Sequence, residues 1–131
     1  MSSQADLTIS LATSAIEIEQ CFPVMSQLRL HLERQRFVRQ VQFQIAAGCQ
    51  LAYLKNSQVV AVAGFRIATC SAWVKYLSIE DLVIDEKKRS QTYGQTMFTW
   101  LIEYAKYNNC QQLHLDSEVK SMRCKSLHSR I

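Results

Sequence analysis

The sequence contains little proline or glycine, with only Pro23 and three glycines among 131 residues. A flexible linker or a low-complexity tract rich in these residues is therefore excluded, and no internal repeat is visible. The length suits one compact domain with a single core and is short for two domains of ordinary size. We therefore expect residues 1–131 to form a single domain.

Long hydrophobic runs and metal-binding cysteine motifs are also absent. No apolar run approaches the roughly 18 residues of a membrane-spanning helix, and Met1 to Asp6 lacks the features of a signal peptide. The five cysteines show no C-x-x-C or His/Cys spacing, which argues against a disulfide scaffold or a metal site. These absences predict a cytoplasmic protein with free thiols and with neither a membrane partner nor a metal.

The sequence has no long basic run, although its formal charge is +4. The basic residues concentrate in Lys87 to Arg89 and in a tail that contains Lys120, Arg123, Lys125 and Arg130. A surface that follows DNA usually carries a stronger basic stripe, so a nucleic acid is an improbable partner. Small clusters of this kind favour an anionic small ligand.

Hydrophobic residues make up 48% of the chain, and their periodicity predicts alternating helices and strands. Polar breaks and the capping residue types place the ends of these elements. The predicted elements are a strand at Leu7 to Leu11, a helix capped by Thr13 or Ser14 and kinked at Pro23, a helix from Glu33 to Ala47, strands at Gln50 to Lys55, Gln58 to Thr69 and Trp73 to Ile84, a helix from Thr92 to Tyr107, a strand at Gln112 to Asp116, and a candidate helix in the tail from Ser117 to Ile131.

This order predicts an α/β (α+β) fold with a mixed, mainly antiparallel sheet flanked by helices, in the order β-α-α-β-β-β-α-β-(α). The helix from Thr92 to Tyr107 joins two strands as a crossover, which makes those two strands parallel. Parallel neighbours beside a helix N-terminus form a crevice for a ligand.

The turn DEKKRSQTYG, from Asp85 to Gly94, enters that helix and is strongly basic. The first turn of a helix leaves several N–H groups without partners, and its dipole adds about half a positive charge. Phosphate oxygens can accept hydrogen bonds from these N–H groups and interact favourably with the positive end of the dipole. Gly94 lets the main chain or a ligand approach closely because it has no Cβ. An ordinary solvated basic turn is the alternative.

The run YLSIEDLVIDEKKRSQTYGQTMFTWLIEYAKYNNCQQLHLDS resembles the central motif of the GNAT acyltransferases. In that motif a D-L-x-V strand leads into R-x-x-G-x-G/A and a long helix, and VVAVAGFRI resembles an earlier strand of the same family. The resemblance implies N-acetyltransferase activity, with acetyl-CoA as the cosubstrate and an amine of a small molecule or peptide as the acceptor.

The resemblance also implies which residues bind acetyl-CoA. Arg89 matches the first position of the motif and Gly94 the last, whereas Thr92 replaces the first glycine. At positive φ a β-branched Thr92 would cost about 1–3 kcal/mol, whereas at an ordinary helix start it could cap the helix and donate its hydroxyl to the ligand. The main-chain donors to the diphosphate are Gln91, Thr92, Tyr93, Gly94 and Gln95, and the main chain that pairs with pantetheine is that of Leu82, Val83 and Ile84.

Acetyl transfer requires a deprotonated amine, and Glu80 and Asp81 are the candidate bases. In a regular strand they point to opposite faces, so only one can face the cleft unless a bulge intervenes. We favour Glu80 as the base and Asp81 as an orienting or structural group; the alternative is that both are merely solvated or bonded to loops. In the family a helical tyrosine after the fifth strand often protonates the thiolate, and the alignment brings His128 to its place. The alternative is that His128 is simply an exposed residue near the chain end.

Members of this family normally continue into two more strands, whereas this chain stops at Ile131. The resemblance therefore predicts a sheet that lacks the last two strands, with an open edge at Gln112 to Asp116. Such an edge invites a homodimer or coverage by the tail. Thr92 and the short C-terminus also motivate a second hypothesis, a degenerate non-catalytic acyl-CoA-binding or interaction module.

Overall fold

The computed structural model describes residues 7–70, 73–88 and 92–115, together with the backbone of residues 128–130. Its helices and strands follow the predicted order and confirm the mixed α/β fold class. The elements are β1 (Thr8–Leu11), α1 (Ala15–Gln20), α2 (Phe22–Leu28), α3 (Arg34–Ala46), β2 (Cys49–Asn56), β3 (Gln58–Thr69), β4 (Lys75–Ile84), a 3-10 turn (Glu86–Lys88), α4 (Tyr93–Tyr107), β5 (Gln112–Leu115) and β6 (His128–Arg130).

The break that we expected at Pro23 separates two short helices. α1 ends at Cys21, which is also the N-cap of α2, and Pro23 lies in the first turn of α2. A proline is tolerated there because the N–H that it lacks would have no helical partner. The chain changes direction without losing a hydrogen bond inside a helix.

The six strands form one sheet in the order β1-β2-β3-β4-β5-β6. All neighbours are antiparallel except β4 and β5, which are parallel, as a crossover through α4 requires. β2 and β3 form a tight hairpin in which Ser57 adopts a positive φ of 67°.

The outer edge of the sheet differs from our prediction. Residues 128–130 form β6, which pairs with β5 from Gln112 to His114, so a helix over the whole tail is wrong at these positions. Pairing satisfies the outward-facing main-chain groups of β5, which an open edge would leave unpaired. The reason for expecting a dimer through this edge therefore no longer holds.

Helices cover both faces of the sheet, so the core has two layers. Met97, Leu101 and Ala105 of α4 are fully buried against one face. The other face packs on α1–α3 through Ile18, Val24, Phe37 and their neighbours. The strand residues on the α4 face include Ala52, Leu54, Ala61, Ala63, Phe65, Leu77, Ile79, Leu82 and Ile84, and those on the other face include Leu51, Tyr53, Val62 and Val83.

Four of the five cysteines lie in the described residues, and all four are free thiols. Burial raises the pKa of Cys21 to about 12, so this thiol stays protonated and packs as a small apolar residue. Within the ranges described above, no helix combines the length and apolarity needed to cross a bilayer.

A capping box begins α1 and makes its stability dependent on pH. The Ser14 hydroxyl accepts from the Glu17 N–H, and the Glu17 carboxylate accepts from the N–H groups of Ser14 and Thr13 at 3.0 Å each. These hydrogen bonds lower the pKa of Glu17 from 4.5 to about 2, and the bond from the Ser14 N–H has the largest effect. Because the folded-state pKa is depressed, the stabilisation is present above pH 4.5 and is lost as pH falls towards 2.

We predict that Glu17→Gln removes part of the acid sensitivity of folding, because glutamine keeps the hydrogen bonds but carries no charge. Urea unfolding between pH 7 and pH 3 should show a smaller decline in the free energy of unfolding for this variant than for the wild type. Ser14→Ala is the matched control, with a loss of about 1 kcal/mol at neutral pH and an unaltered acid decline. Equal declines in wild type and Glu17→Gln would contradict the assignment.

Candidate active site

A bulge in β4 places two adjacent carboxylates on the same face of the sheet. In the β3–β4 ladder Gly64 lies opposite Asp81 and Phe65 lies opposite Ile79, so Glu80 has no partner residue. Ile79 and Leu82 both face α4, an interval of three residues that regular alternation does not allow. Glu80 and Asp81 therefore both face away from α4, which is the exception to strand alternation that our sequence argument left open.

Both carboxylates line a cavity of about 180 Å³ between the sheet and the helices α2 and α3. Gly64 belongs to its floor, where a Cβ would lie 3.5 Å from Oδ2 of Asp81. The other walls contain both apolar and polar residues. They consist of Met25, Leu32, Phe37, Val41, Ile45 and Leu51, with the polar residues Arg29, Gln40, Gln44, Cys49 and Gln50.

Each carboxylate is paired with an arginine. Arg66 lies 3.0 Å from Oε2 of Glu80, and Arg29 donates to Oδ1 of Asp81 at 2.7 Å. Glu80 is the main cause of a raised pKa at Arg66, which keeps this guanidinium charged. The four side chains are partly exposed, at 22–49% of their surface, so solvent screens both pairs. Two charges of each sign give the site no net charge.

β4 pairs in parallel with β5 from Tyr76 to Ile79, and Leu115, the partner of Ile79, is the last described residue of that part of the chain. Leu82, Val83 and Ile84, the predicted partners of pantetheine, form the carboxyl end of β4. The separation of the two strands towards this end stays a prediction. The three apolar side chains are almost fully buried, which fixes the path of the main chain that was predicted to contact the ligand.

The start of α4 has ordinary backbone geometry. Thr92 is the N-cap with φ −93° and ψ 25°, so the positive φ that would strain this residue does not occur. Its side chain makes no capping hydrogen bond, so the predicted side-chain cap is not formed; its carbonyl accepts from the N–H and hydroxyl of Thr96. Among the described residues, nothing accepts a hydrogen bond from the N–H groups of Tyr93, Gly94 or Gln95.

Tyr93 and Gly94 fix the first turn of α4 on the sheet. The Tyr93 ring is buried and its hydroxyl accepts from the Asn56 side chain at 3.0 Å. A Cβ on Gly94 would lie 3.4 Å from Cδ1 of Ile84, so this glycine lets the helix lie close to the end of β4. Thr92, Gln95, Thr96 and Thr99 line a shallow polar groove on the outer side of the same turn.

The turn between β4 and α4 is fixed by α2. The Gln27 side chain donates to Asp85 Oδ1 at 3.2 Å and accepts from the Glu86 N–H at 2.9 Å. Asp85 also accepts from the Lys87 N–H. The predicted basic turn is thus an ordered structure up to Lys88, whereas Arg89 and Gln91 lie outside the described residues.

Sequence reasoning missed Arg29, Arg66 and Gln27, which reach the site from other elements. The sequence could have pointed to Arg66, because this residue lies two positions after Gly64 and therefore on the same face of β3. No local pattern could have pointed to Arg29 or Gln27, because 52 and 58 residues separate them from the aspartates that they contact. His128 lies in β6 rather than on a helix, so the expected helical position of the acid is wrong. In the described part of the chain, no cluster of His, Cys, Asp or Glu could hold a metal.

Comparison with known proteins gives a family and many structures of the same fold. The family model described as acetyltransferase (GNAT) family matches residues 14–130. No curated protein shows significant sequence similarity. The match covers the cavity, the bulge and the start of α4 in one family domain.

Solved structures resemble the whole chain at low sequence identity. A Trypanosoma brucei acetyltransferase has a TM-score of 0.73 and 18% identity, covering 96% of this chain and 99% of its own. A GNAT family acetyltransferase from Staphylococcus aureus has a TM-score of 0.75 and 15% identity, with the same coverage. Glucosamine-6-phosphate N-acetyltransferase from Arabidopsis thaliana has a TM-score of 0.67 and 18% identity, covering 84% and 81%. Identities this low establish the fold alone.

The packing of Gly94 gives a testable prediction about stability. Gly94→Ala should leave the melting temperature equal or slightly higher, because alanine gains up to about 1 kcal/mol of helix propensity and its methyl group only touches Ile84. Gly94→Leu should lower it, since the longer side chain must displace α4 from β4. Thermal unfolding followed by circular dichroism measures both; a large loss in the alanine variant would contradict the prediction that a methyl group fits beside Ile84.

Proposed function

The chain belongs to the GNAT acetyltransferase family, and on this basis we propose that it transfers the acetyl group of acetyl-CoA to a primary amine of a small molecule or peptide. The observation that carries the proposal is the bulge at Glu80 in β4. It places two carboxylates in a cavity, on the strand that leads into α4, and the first N–H groups of α4 have no acceptor among the described residues. An acyl donor and an amine acceptor need these features side by side.

The start of α4 fits the diphosphate of acetyl-CoA. The N–H groups of Tyr93, Gly94 and Gln95 have no acceptor among the described residues, and the helix dipole favours an anion at this end. Thr92 has unstrained angles, and its hydroxyl makes no capping hydrogen bond, which supports a phosphate contact through its main chain or its hydroxyl. The main chain of Leu82, Val83 and Ile84 is the proposed partner of the pantetheine arm; Arg89 and Gln91 remain proposed contacts.

The bulge supplies the group that accepts the amine proton. Acetyl-CoA provides an activated acetyl group as a thioester, and the amine nitrogen must lose a proton to attack its carbonyl carbon. A C–N bond then replaces the C–S bond, and the CoA sulfur leaves as a thiolate that takes up a proton. Glu80 is the proposed base because it lines the cavity and, among the described residues, its bond to Arg66 involves only Oε2. Asp81, fixed by Arg29, is the proposed orienting group.

The alternative is a non-catalytic module that binds acyl-CoA without transferring the acetyl group. Thr92 in place of the first motif glycine motivates it, because fewer close contacts with phosphate are then available. The ordinary angles at Thr92 weaken this argument, and the cavity beside the carboxylates favours an enzyme with an acceptor site.

We predict that Glu80→Gln lowers kcat at least about 100-fold, the usual contribution of a general base, without changing acetyl-CoA affinity. Asp81→Asn should raise KM for the amine more than it lowers kcat, because its release of Arg29 disturbs the acceptor cavity. A thiol-release assay with a panel of amines measures both. Glu103→Gln, an exposed carboxylate on α4 paired with Lys106, is the matched control and should retain full activity.

Isothermal calorimetry with acetyl-CoA separates the two functions. Binding with amine-dependent thiol release supports the enzyme, and binding without release for any amine in the panel supports the module. If acetyl-CoA does not bind, both proposals are wrong.

A further inference from the structure

We propose that the acceptor is a small zwitterion, namely an apolar amino acid whose free amino and carboxylate groups both bind at the mouth of the cavity. The inference rests on the proposed acetyltransferase function and adds the chemical class of its second substrate. It depends on the charge balance, the apolar part of the lining and the size of the cavity.

The charged residues at the cavity favour a ligand with one charge of each sign. Glu80 and Asp81 can both attract an ammonium group, while Arg29 on the same wall can attract a carboxylate. With Arg66 beside Glu80, the site is neutral overall, so a polycation or a phosphorylated amine gains no net attraction. A zwitterion matches the arrangement with both of its ends.

Arg29 has the free hydrogen-bonding capacity that this ligand needs. A guanidinium has five N–H donors, and the bond to Asp81 uses one on Nη2. About half of the Arg29 side chain is exposed, which leaves its other edge accessible to a second carboxylate. Such planar pairing with carboxylate is a geometry that arginine favours.

The cavity is small, and part of its lining is apolar. Phe37, Val41 and Leu51 are almost fully buried, and Leu32 and Ile45 are packed against the same cluster. The volume of about 180 Å³ is well below the roughly 300–1,000 Å³ of pockets for drug-sized ligands. A single aliphatic side chain suits this volume and the apolar part of the lining.

The test compares three amines that share or lack one feature of the proposed ligand. L-leucine has both charged groups, isoamylamine has the same side chain without the carboxylate, and glucosamine 6-phosphate has an amine on a polar, anionic ring. We expect kcat/KM for L-leucine to exceed that of either other amine by roughly 10- to 100-fold, the usual effect of a hydrogen bond to a charged group. Equal or higher values for isoamylamine or glucosamine 6-phosphate would overturn the inference.

Variants of Arg29 connect this preference to the cavity. Arg29→Gln should reduce the advantage of L-leucine over isoamylamine at least fivefold, and Arg29→Lys should retain part of it. Arg36→Gln, an exposed arginine of α3 outside the cavity, is the control and should keep the full advantage. Thermal melts verify that each variant is folded. An advantage that persists in folded Arg29→Gln contradicts the inference.

Binding measurements separate failure of this inference from failure of the proposed function. If acetyl-CoA binds and another amine is acetylated in preference to L-leucine, the acetyltransferase stands and the zwitterion is wrong. If acetyl-CoA does not bind, the acetyltransferase fails. Calorimetry with L-leucine and isoamylamine alone still tests the cavity: preferential L-leucine binding supports the recognition chemistry, and its absence overturns the inference.

Discussion

The site depends on one irregular position in the sheet, the bulge where Glu80 has no partner on β3. Without the extra residue, strand alternation would turn either Glu80 or Asp81 towards α4 and into the apolar core. With it, both carboxylates face the cavity while Leu77, Ile79, Leu82 and Ile84 all remain buried under α4. Burial of these four side chains outweighs the local loss of one ladder position and therefore holds the bulge in place.

The regular parts of this fold could be predicted from the sequence, because each depends on local pattern. β3 begins and ends at the predicted residues, Gln58 and Thr69, and Ser14 caps α1 through Glu17. The bulge is only weakly indicated by the sequence. The three-residue interval between Ile79 and Leu82 points to a bulge only when both side chains are known to be buried on the same face.

Long-range contacts could not be predicted in this way. Arg29 reaches Asp81 across 52 residues, so no local pattern marks it as part of the site. β6 is only three residues long, and its pairing with β5 depends on the path of the chain between them rather than on its own alternation. The predicted cofactor motif spans β4, the following turn and the start of α4, whereas the charge balance of the cavity follows from tertiary structure alone.

A crystal structure with acetyl-CoA bound is the measurement that tests this account most directly. We expect the diphosphate to accept hydrogen bonds from the main-chain N–H groups of Tyr93, Gly94 and Gln95, with the thioester carbonyl beside the bulge at Glu80 and Asp81. A diphosphate bound elsewhere, or a thioester directed away from the cavity that holds the two carboxylates, would contradict the account.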